Sequence, residues 1–139
     1  MKTFVDTGGW LAVIVQPDQY HDVGVLHYEA LIRRRERLFT SDYVLDETVT
    51  RIRYDASHAT AVAFLDVIAE AERSGALHIL HVDNAVWQAA EVLFRQYHDQ
   101  AFSFTDCTSF VLVQQAGVDE VFGFDQHFLM FGFNVKPLW

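Results

Sequence analysis

Four acidic residues, Asp6, Glu47, Asp106 and Asp125, stand where the chain passes from an apolar run into a helix or a turn. They belong to four separate segments, at residues 3–6, 43–48, 102–108 and 121–127. In open α/β sheets the ligand crevice lies at the carboxyl ends of the strands, so acids from distant segments can meet there. Converging carboxylates repel one another unless a cation holds them together, and Mg²⁺ or Mn²⁺ suits oxygen ligands. The pattern therefore predicts a metal-dependent site that cleaves phosphodiester bonds.

The acids that stand at predicted helix starts also have an ordinary structural alternative. Asp and Thr are common N-cap residues, and an acid in a first helical turn is stabilised by the helix dipole. Capping alone would account for Asp6 with Thr7 and for Thr105 with Asp106. Glu47 differs because it stands inside a helical pattern rather than at a helix start. From spacing alone, a four-carboxylate site and a set of unrelated caps both stay open.

The composition is that of one globular domain, expected over residues 1–139. The chain is 51% hydrophobic and 21% charged, which is enough apolar content for a real core. Its net charge of −9 is unfavourable for a nucleic-acid binder, although carboxylates neutralised by a metal would account for part of it. The single cysteine, Cys107, fits a reducing cytoplasm and is predicted to be a small buried residue. Neither a signal peptide nor a membrane span is expected.

Short apolar runs alternate with helical stripes, which predicts an α/β domain with a parallel sheet. Strands are predicted at 3–5, 38–40, 77–82, 121–124 and 133–135, the last at the sheet edge. Helices are predicted from Thr7 to Pro17, over 20–37, from Asp42, from Ser57 to Gly75, from Asp83, and from Thr105 to Gly117. The inward stripes of the second and fourth helices are predicted to be Val23, Leu26 or His27, Ala30 and Leu31, and Val62, Leu65, Ile68 and Ala69.

Two other groups of residues could bind a ligand. The seven histidines lack the spacing of a zinc site, and only His127, two residues after Asp125, is a candidate phosphate contact; a packed or surface role is commoner. The one dense basic cluster is Arg33, Arg34, Arg35 and Arg37. It is either a solvated helix end or a contact for RNA phosphates or an acidic partner.

The basic cluster also bears on assembly. Two copies related by a two-fold axis could line one groove with both clusters, so a homodimer is expected. Aromatic residues make up 14% of the chain, including Trp10, Trp87 and Trp139. Most should form the core, and some should serve an interface with a second copy or a partner. Apolar residues of the early helices, including Trp10, are predicted at the dimer interface.

Taken in order, the four acidic segments resemble the successive motifs of the PIN-domain family, and are most similar to those of VapC-type toxins. The segments are TFVDT at 3–7, LDET at 45–48, FSFTDCTSF at 102–110 and FGFDQHF at 122–128. The resemblance covers essentially the whole chain. It implies a three-layer α/β/α fold with a central, mainly parallel sheet, and an endoribonuclease activity that depends on Mg²⁺ or Mn²⁺.

The resemblance also implies roles for individual residues. The acids that bind metal and carry catalysis fall on Asp6, Glu47, Asp106 and Asp125. The hydroxyl residue that often precedes the third acid corresponds to Ser103 or Thr105, and with Thr7 these could place hydroxyls behind the acids. Asp46 competes with Glu47, because successive helix residues point about 100° apart and only one can face the site. The family spacing favours Glu47.

The function implied is that of the toxin in a toxin–antitoxin pair, acting on RNA in the cytoplasm and paired with a cognate antitoxin. One alternative is a PIN nuclease of RNA processing or decay without an antitoxin. Another is a PIN-like binding module without cleavage, which the intact set of four acids disfavours. Some toxins with a similar stretch at 104–110 attack structured RNA such as tRNA or a ribosomal RNA loop, but that is an analogy.

Overall fold

A computed structural model of the protein describes residues 1–137; Trp139, one of the aromatics expected in the core or an interface, lies outside the described residues. The elements in chain order are β1 (Lys2–Val5), α1 (Thr7–Ile14), α2 (His21–Arg33), β2 (Arg37–Ser41), α3 (Asp42–Asp55), α4 (His58–Arg73), β3 (Leu77–Leu80), α5 (Asn84–Gln96), α6 (Phe104–Ala116), β4 (Glu120–Phe122), a 3₁₀ helix (Gln126–Phe131) and β5 (Asn134–Lys136). Among residues 1–137, no helix has the length and apolar character needed to cross a membrane.

The five strands form one parallel sheet in the order β3-β2-β1-β4-β5, with β5 at an edge as predicted. Helices flank the sheet on both sides, which confirms the three-layer α/β/α expectation. In the central strands, Phe4 of β1 pairs with Phe39 on one side and Val121 on the other. After β1, the chain adds β2 and β3 on one side of β1, and it later adds β4 and β5 on the other side. Between β1 and β4 the strand order reverses, and ligand crevices form at such a point.

Trp10 belongs to the core and not to an interface. It is 3% exposed, and its ring packs against Phe64 at a centroid distance of 5.6 Å. Its Nε1 donates to Thr40 Oγ1 at 3.1 Å, and that hydroxyl donates in turn to the Val5 carbonyl at 2.9 Å. A buried polar group has to be satisfied, and this chain of hydrogen bonds satisfies the indole inside the protein. The prediction that Trp10 contributes to a dimer interface is therefore wrong.

Helix α2 is shorter than predicted, and its predicted inward stripe is only partly confirmed. It ends at Arg33, because Arg37 is already the first residue of β2. Leu31 is buried as predicted, and the His27 side chain, the alternative to Leu26, is 12% exposed, whereas Val23 and Leu26 are 47% and 67% exposed and Gly24 is buried instead. A Cβ atom on Gly24 would lie 2.6 Å from Ala12 Cβ, so only glycine allows α2 to approach α1 this closely. That close contact decides which face of α2 is buried.

The buried face of α4 is also displaced from the prediction. Ala61, Phe64 and Ile68 are buried, while the predicted Val62 and Leu65 are exposed, as is Ala69. The reason is the large ring of Phe64, which occupies the core position against Trp10. The predicted starts of α4 and α5 are confirmed: Ser57 Oγ and Asp83 Oδ1 accept hydrogen bonds from the backbone of the first helical turn.

Candidate active site

Asp6, Glu47, Asp106 and Asp125 line one cavity of about 170 Å³, together with Thr7, Gly8 and Arg51. Asp6 directly follows β1, and Asp125 comes three residues after β4. Glu47 lies in α3, which begins where β2 ends, and Asp106 lies in the first turn of α6. The cavity therefore opens at the carboxyl edge of the sheet, beside the reversal between β1 and β4. The fold brings together four acids that are up to 119 positions apart in the chain.

Asp6 is held by its backbone, which leaves its side chain free for another role. Its N–H donates to the Phe122 carbonyl at 3.0 Å, and its own carbonyl accepts from Trp10 N at 3.1 Å to begin α1. The carboxylate makes no N-cap hydrogen bond, and Thr7 is the first helical residue rather than the cap that was predicted. A Cβ atom on Gly123 would lie 3.1 Å from Asp6 Cβ, so a glycine there leaves room for the acid. Capping does not explain the Asp6 side chain.

Asp106 combines a capping role with a place on the cavity. Its N–H donates to Ser103 Oγ at 2.9 Å, and its Oδ2 accepts from Ser103 N at 2.9 Å. Ser103 is therefore the N-cap of α6, and the prediction that Thr105 caps this helix is wrong. The reciprocal pair of bonds is a capping box, which fixes the carboxylate in one orientation. The Thr105 carbonyl accepts from the Thr108 hydroxyl at 2.7 Å.

Asp125 is oriented in a similar way at the start of the 3₁₀ helix. Its Oδ1 accepts a hydrogen bond from His127 N at 2.9 Å. For Asp106 and Asp125, capping and a position on the cavity are thus compatible, since a carboxylate has several acceptor sites.

Helix α3 directs Glu47, and not its neighbour Asp46, toward the cavity. Glu47 is half-buried and lines the cavity, whereas Asp46 is exposed and absent from its lining. The buried Thr48 donates to the Val44 carbonyl at 2.7 Å and lies on the core side of the same helix. The ambiguity between the two acids is resolved geometrically in favour of Glu47.

The cavity holds negative charge that the protein does not fully stabilise. Burial, and then the charge of Asp106, raise the pKa of Asp6 from 3.8 to about 8; Asp125 and Glu47 add to the effect. Burial also raises the pKa values of Glu47 and Asp106, with further increases from neighbouring carboxylates. The Arg51 guanidinium lowers the pKa of Glu47 and offsets part of its increase. Mutual repulsion of this kind is relieved when a cation binds between the acids.

The chemistry of the lining suits a hard divalent cation. Thr7 Oγ1 is buried and has no hydrogen-bond partner within residues 1–137, although it lies on the cavity wall. An unpartnered hydroxyl oxygen beside carboxylates can serve a metal ion or its bound water. Oxygen donors dominate, and the nearby Cys107 is not a rival ligand, because burial and Asp106 raise the pKa of its thiol to about 11. Cys107 is fully buried, as predicted.

Two further residues, His127 beside the cavity and Arg51 in its lining, received little weight in the sequence. His127 offers a ring nitrogen that lies within 4.8 Å of donor oxygens of Asp106 and Asp125, a grouping able to hold a metal. Its Nδ1 is 3.1 Å from Asp125 Oδ1, but without the geometry of a hydrogen bond. Arg51 follows Glu47 by four residues, the spacing that puts two side chains on one helix face. That spacing is the feature of the sequence that could have identified Arg51 as a residue of the site.

The arginine cluster lies at the opposite end of the strands, where their amino ends meet. Arg37 opens β2 and pairs with Lys2, the first residue of β1, whereas the acids follow the strand ends. Arg33 ends α2, and Arg34 and Arg35 are exposed in the turn before β2, where Arg35 has a positive φ of 54°. The structure does not bring these four side chains to the acidic cavity of the same protomer.

Comparison with known proteins assigns the chain to one family. The family described as "PIN domain" matches residues 3–134, which is nearly the whole chain. The chain belongs to the PIN-domain family. The motif resemblance seen in the sequence is therefore confirmed for this PIN domain.

Curated relatives of this PIN domain carry VapC names. It is 31% identical over 117 residues to a VapC ribonuclease of Archaeoglobus fulgidus, an alignment that covers 83% of this chain and 72% of the relative. It is 28% identical over 135 residues to the 23S rRNA-specific endonuclease VapC20 of Mycobacterium tuberculosis, covering 96% and 98% of the two chains. The names of both relatives describe nucleases that act on RNA, in agreement with the class of protein that the motif resemblance indicated.

Solved structures of VapC proteins superpose on this PIN domain over nearly its whole length. The crystal structure of the VapC20 toxin, described as cleaving the sarcin-ricin loop, superposes with a TM-score of 0.78 at 28% identity and covers 94% of this chain and 95% of that one. A VapBC2 complex of Rickettsia felis matches with a TM-score of 0.69, 98% of each chain covered, at 12% identity. At that identity the second likeness supports the fold alone.

Proposed function

We propose that this PIN domain is an endoribonuclease that depends on Mg²⁺ or Mn²⁺ and acts as the toxin of a toxin–antitoxin pair. The observation that carries the proposal is the convergence of Asp6, Glu47, Asp106 and Asp125 on one cavity at the sheet's reversal point. A structural set of caps would not require the buried, uncapped carboxylate of Asp6 or the inward orientation of Glu47.

In this proposal Asp6, Asp106 and Asp125 hold the metal, and Glu47 completes the ligand set directly or through water. A bound divalent ion supplies a lowered pKa for the attacking water and stabilises charge on the phosphoryl oxygens. The capping bonds of Asp106 and Asp125 keep both carboxylates in fixed orientations, so they need not reorganise during the reaction. Thr7 supplies an unpartnered hydroxyl oxygen on the same wall.

Arg51 is the cation that the cavity presents to the substrate. It lines the cavity, is exposed to solvent, and makes no ion pair within 4.0 Å in the described part of the chain. A guanidinium can donate two parallel hydrogen bonds to phosphate oxygens. We assign Arg51 to the scissile phosphate, where it would also offset the charge that Glu47 and its neighbours hold near the anionic backbone.

The partners follow from the same family. A cognate antitoxin and a homodimer are proposed, and exposed apolar side chains on α2 and α4 offer surface for either: Val23, Leu26, Val62, Leu65 and Val67. The similarity to the 23S rRNA-specific VapC20 favours structured RNA with an accessible loop as the substrate class. Measuring the mass of the protein in solution, alone and with an antitoxin, tests these partner assignments.

The activity is tested by incubating the purified protein with RNA in Mg²⁺ or Mn²⁺ and in excess chelator. Cleavage is expected only with metal and should be lost in Asp106→Asn. The amide oxygen of Asn can still accept the hydrogen bond from Ser103 N, so this variant keeps the capping box while it removes a ligand charge. Asp83→Asn removes the same charge from a helix start outside the cavity, where Asn also serves as an N-cap, and this control should retain activity. Cleavage that persists in excess chelator would contradict the metal mechanism.

A further inference from the structure

A second cavity, of about 640 Å³, lies between α5 and the segment that leads into α6. We call it the aromatic groove, because its walls carry the rings of Trp87, Phe94, Tyr97, Phe102 and Phe104. Its volume falls within the range of about 300–1,000 Å³ that is typical of ligand pockets. Nothing in the acidic chemistry described above uses this groove.

The outer rings of the aromatic groove face solvent but are held in place. Trp87 and Phe94 are 42% and 47% exposed. Both rings contact Phe104, with centroid distances of 4.5 Å for Trp87 and 5.9 Å for Phe94. Trp87 Nε1 also donates to Glu91 Oε1 at 2.8 Å, which fixes the indole. The groove therefore presents preformed aromatic surfaces, whose use by a ligand costs little ordering entropy.

The aromatic groove and the acidic cavity share no lining residue, but residues of the two lie close together at three points. Phe104 is the first residue of α6 and stands two residues before Asp106. On the other wall, Phe102 contacts His127 edge-on at 4.9 Å.

The third contact runs along α3. Tyr43 lies one helical turn before Glu47, and its ring meets Trp87 at 6.3 Å. These neighbouring contacts place the groove beside the acidic cavity, so we expect one RNA strand to be able to contact both.

The chemistry of the aromatic groove matches nucleobases better than an apolar peptide. Its walls add Arg95, His98 and Gln100, which offer donors to phosphates and base edges, and Glu91, whose Oε2 lies 3.5 Å from a nitrogen of the exposed Arg95 guanidinium. The opposite side of α5 has a separate cavity of about 610 Å³, whose apolar residues Ala89, Val92, Leu93 and Val111 are all aliphatic. Aromatic rings beside cationic and amide groups are the usual platform for unpaired bases.

We propose that the aromatic groove binds unstacked nucleobases of an RNA whose backbone occupies the acidic cavity. The proposal rests on the ribonuclease function and adds a substrate class: RNA with unpaired bases next to the cleaved bond. Trp87 and Phe94 stack on the bases, and Arg95 contacts the flanking phosphate. A continuous duplex keeps its base faces buried against one another and would be excluded from the groove.

Binding is measured by fluorescence anisotropy in excess chelator, with a fluorescein-labelled single-stranded RNA and the same strand carrying abasic sites. Trp87→Ala and Phe94→Ala should each weaken binding of the intact strand by about tenfold or more, which is typical of losing one base–aromatic stack. Neither variant should change binding of the abasic strand, since its phosphates are unaltered. Trp87→Phe should restore most of the affinity. Tyr54→Ala, which removes a 79% exposed ring outside the groove, is the control and should have no effect.

The outcomes separate this proposal from the ribonuclease function. With Mn²⁺ present, Trp87→Ala should raise KM and leave kcat close to that of the unaltered protein. If both alanine variants bind intact RNA normally while the unaltered protein still cleaves, the groove assignment is wrong and the nuclease stands. If they instead lose binding of a purified antitoxin and keep RNA affinity, the groove belongs to the protein partner and the proposal is overturned. Base-dependent binding without any metal-dependent cleavage would refute the nuclease and keep the groove.

Discussion

The edge of the sheet at the amino ends of the strands (the amino edge) is basic, and the edge at their carboxyl ends (the carboxyl edge) is acidic. The sequence revealed these two charged regions to different extents. Arg33, Arg34, Arg35 and Arg37 lie close together in the chain and mark the amino edge. The carboxyl edge holds four acids from four distant segments, and only there do side chains line one cavity and shift one another's pKa values. Charge density along a sequence therefore does not locate a reactive site; convergence in the fold does.

The distance between the edges makes them electrostatically independent. Strand β2 runs from Arg37 to Ser41, so its two ends are about 13 Å apart. That exceeds the Debye length of about 8 Å at physiological ionic strength. The arginines are too distant to neutralise the acids of the same protomer, so repulsion in the cavity is relieved by a proton on Asp6, by a bound cation or by Arg51. Each edge can thus be changed without disturbing the other.

The largest expected effect lies at the carboxyl edge. Glu47→Gln should lower kcat/KM for RNA by about 100-fold or more, because it removes an electrostatic contact from the reaction site. Asp46→Asn makes the same charge change one residue away, on an exposed side chain, and should retain activity. Both rates are measured on one RNA under saturating Mn²⁺. If Asp46→Asn lowered kcat/KM more than Glu47→Gln does, Asp46 rather than Glu47 would be the acid of α3 that serves the reaction.

Arg51 gives the next largest effect. Arg51→Gln should reduce kcat/KM by about 10- to 100-fold, with partial recovery in Arg51→Lys, since lysine keeps the charge and loses the two-pronged geometry. Arg53→Gln removes an equally exposed arginine that is not in the cavity lining and should change the rate by less than about twofold. The assignment to the phosphate fails if both glutamine variants reduce the rate equally.

A sequence reveals those features of the fold and the site that a local pattern determines. It does not reveal the features that depend on contacts between distant segments. The strands and the acids were predictable, because short apolar runs followed by acids mark strand ends in an α/β chain. The buried face of α2 was only partly predictable. Leu31 was correctly placed inward, but Val23 satisfies the helical period as well as Gly24 does, and what selects Gly24 is its packing against Ala12, where an added Cβ would lie 2.6 Å from the Ala12 Cβ.

Positions in space were harder to predict than positions in the chain. The segment 33–37 reads as a continuous helix end, whereas the structure divides it between the last residue of α2, a turn and the first residue of β2. The aromatic groove was not predicted from the sequence, for a related reason. Its rings come from α5 and from residues 102–104, and an exposed Trp cannot be told from a buried one by type alone.

A smaller effect concerns stability in the absence of metal. The pKa of Asp6 is about 8 in the folded protein and 3.8 for the unperturbed group, so the folded state binds this proton more tightly. Its contribution to stability is complete below about pH 4 and is lost as pH rises toward about 8. Asp6→Asn has no such proton. Its melting temperature relative to the unaltered protein should therefore increase with pH in excess chelator, while its cleavage activity is lost.

Thermal melts of both proteins at about pH 5 and about pH 8 give that difference directly. Asp46→Asn is the control, because it removes an exposed acid and should track the unaltered protein. If Asp6→Asn is less stable at both pH values, Asp6 serves the fold and repulsion among the acids is not the dominant effect.

The smallest effect is expected at the amino edge, where the cluster is either an RNA contact or a solvated helix end. Arg33→Gln combined with Arg34→Gln leaves the positive φ of Arg35 and the contact of Arg37 with the Phe39 ring undisturbed. If the cluster binds RNA across a two-fold axis, the slope of log affinity against log salt should fall by about 0.7 per lost phosphate contact. Because the opposite edge carries the chemistry, kcat should not change.

The matched control removes two exposed arginines elsewhere, Arg53→Gln with Arg73→Gln, for the same change in net charge. A slope that falls only in the Arg33 and Arg34 variant would make the amino edge an RNA contact supplied to the partner's cavity, which requires a dimer. An equal fall in both variants would reflect net charge alone. A monomeric mass in solution would rule out the shared groove, because one protomer cannot bring its amino edge to its own acids. The arginines would then be left to solvent or to an acidic antitoxin surface.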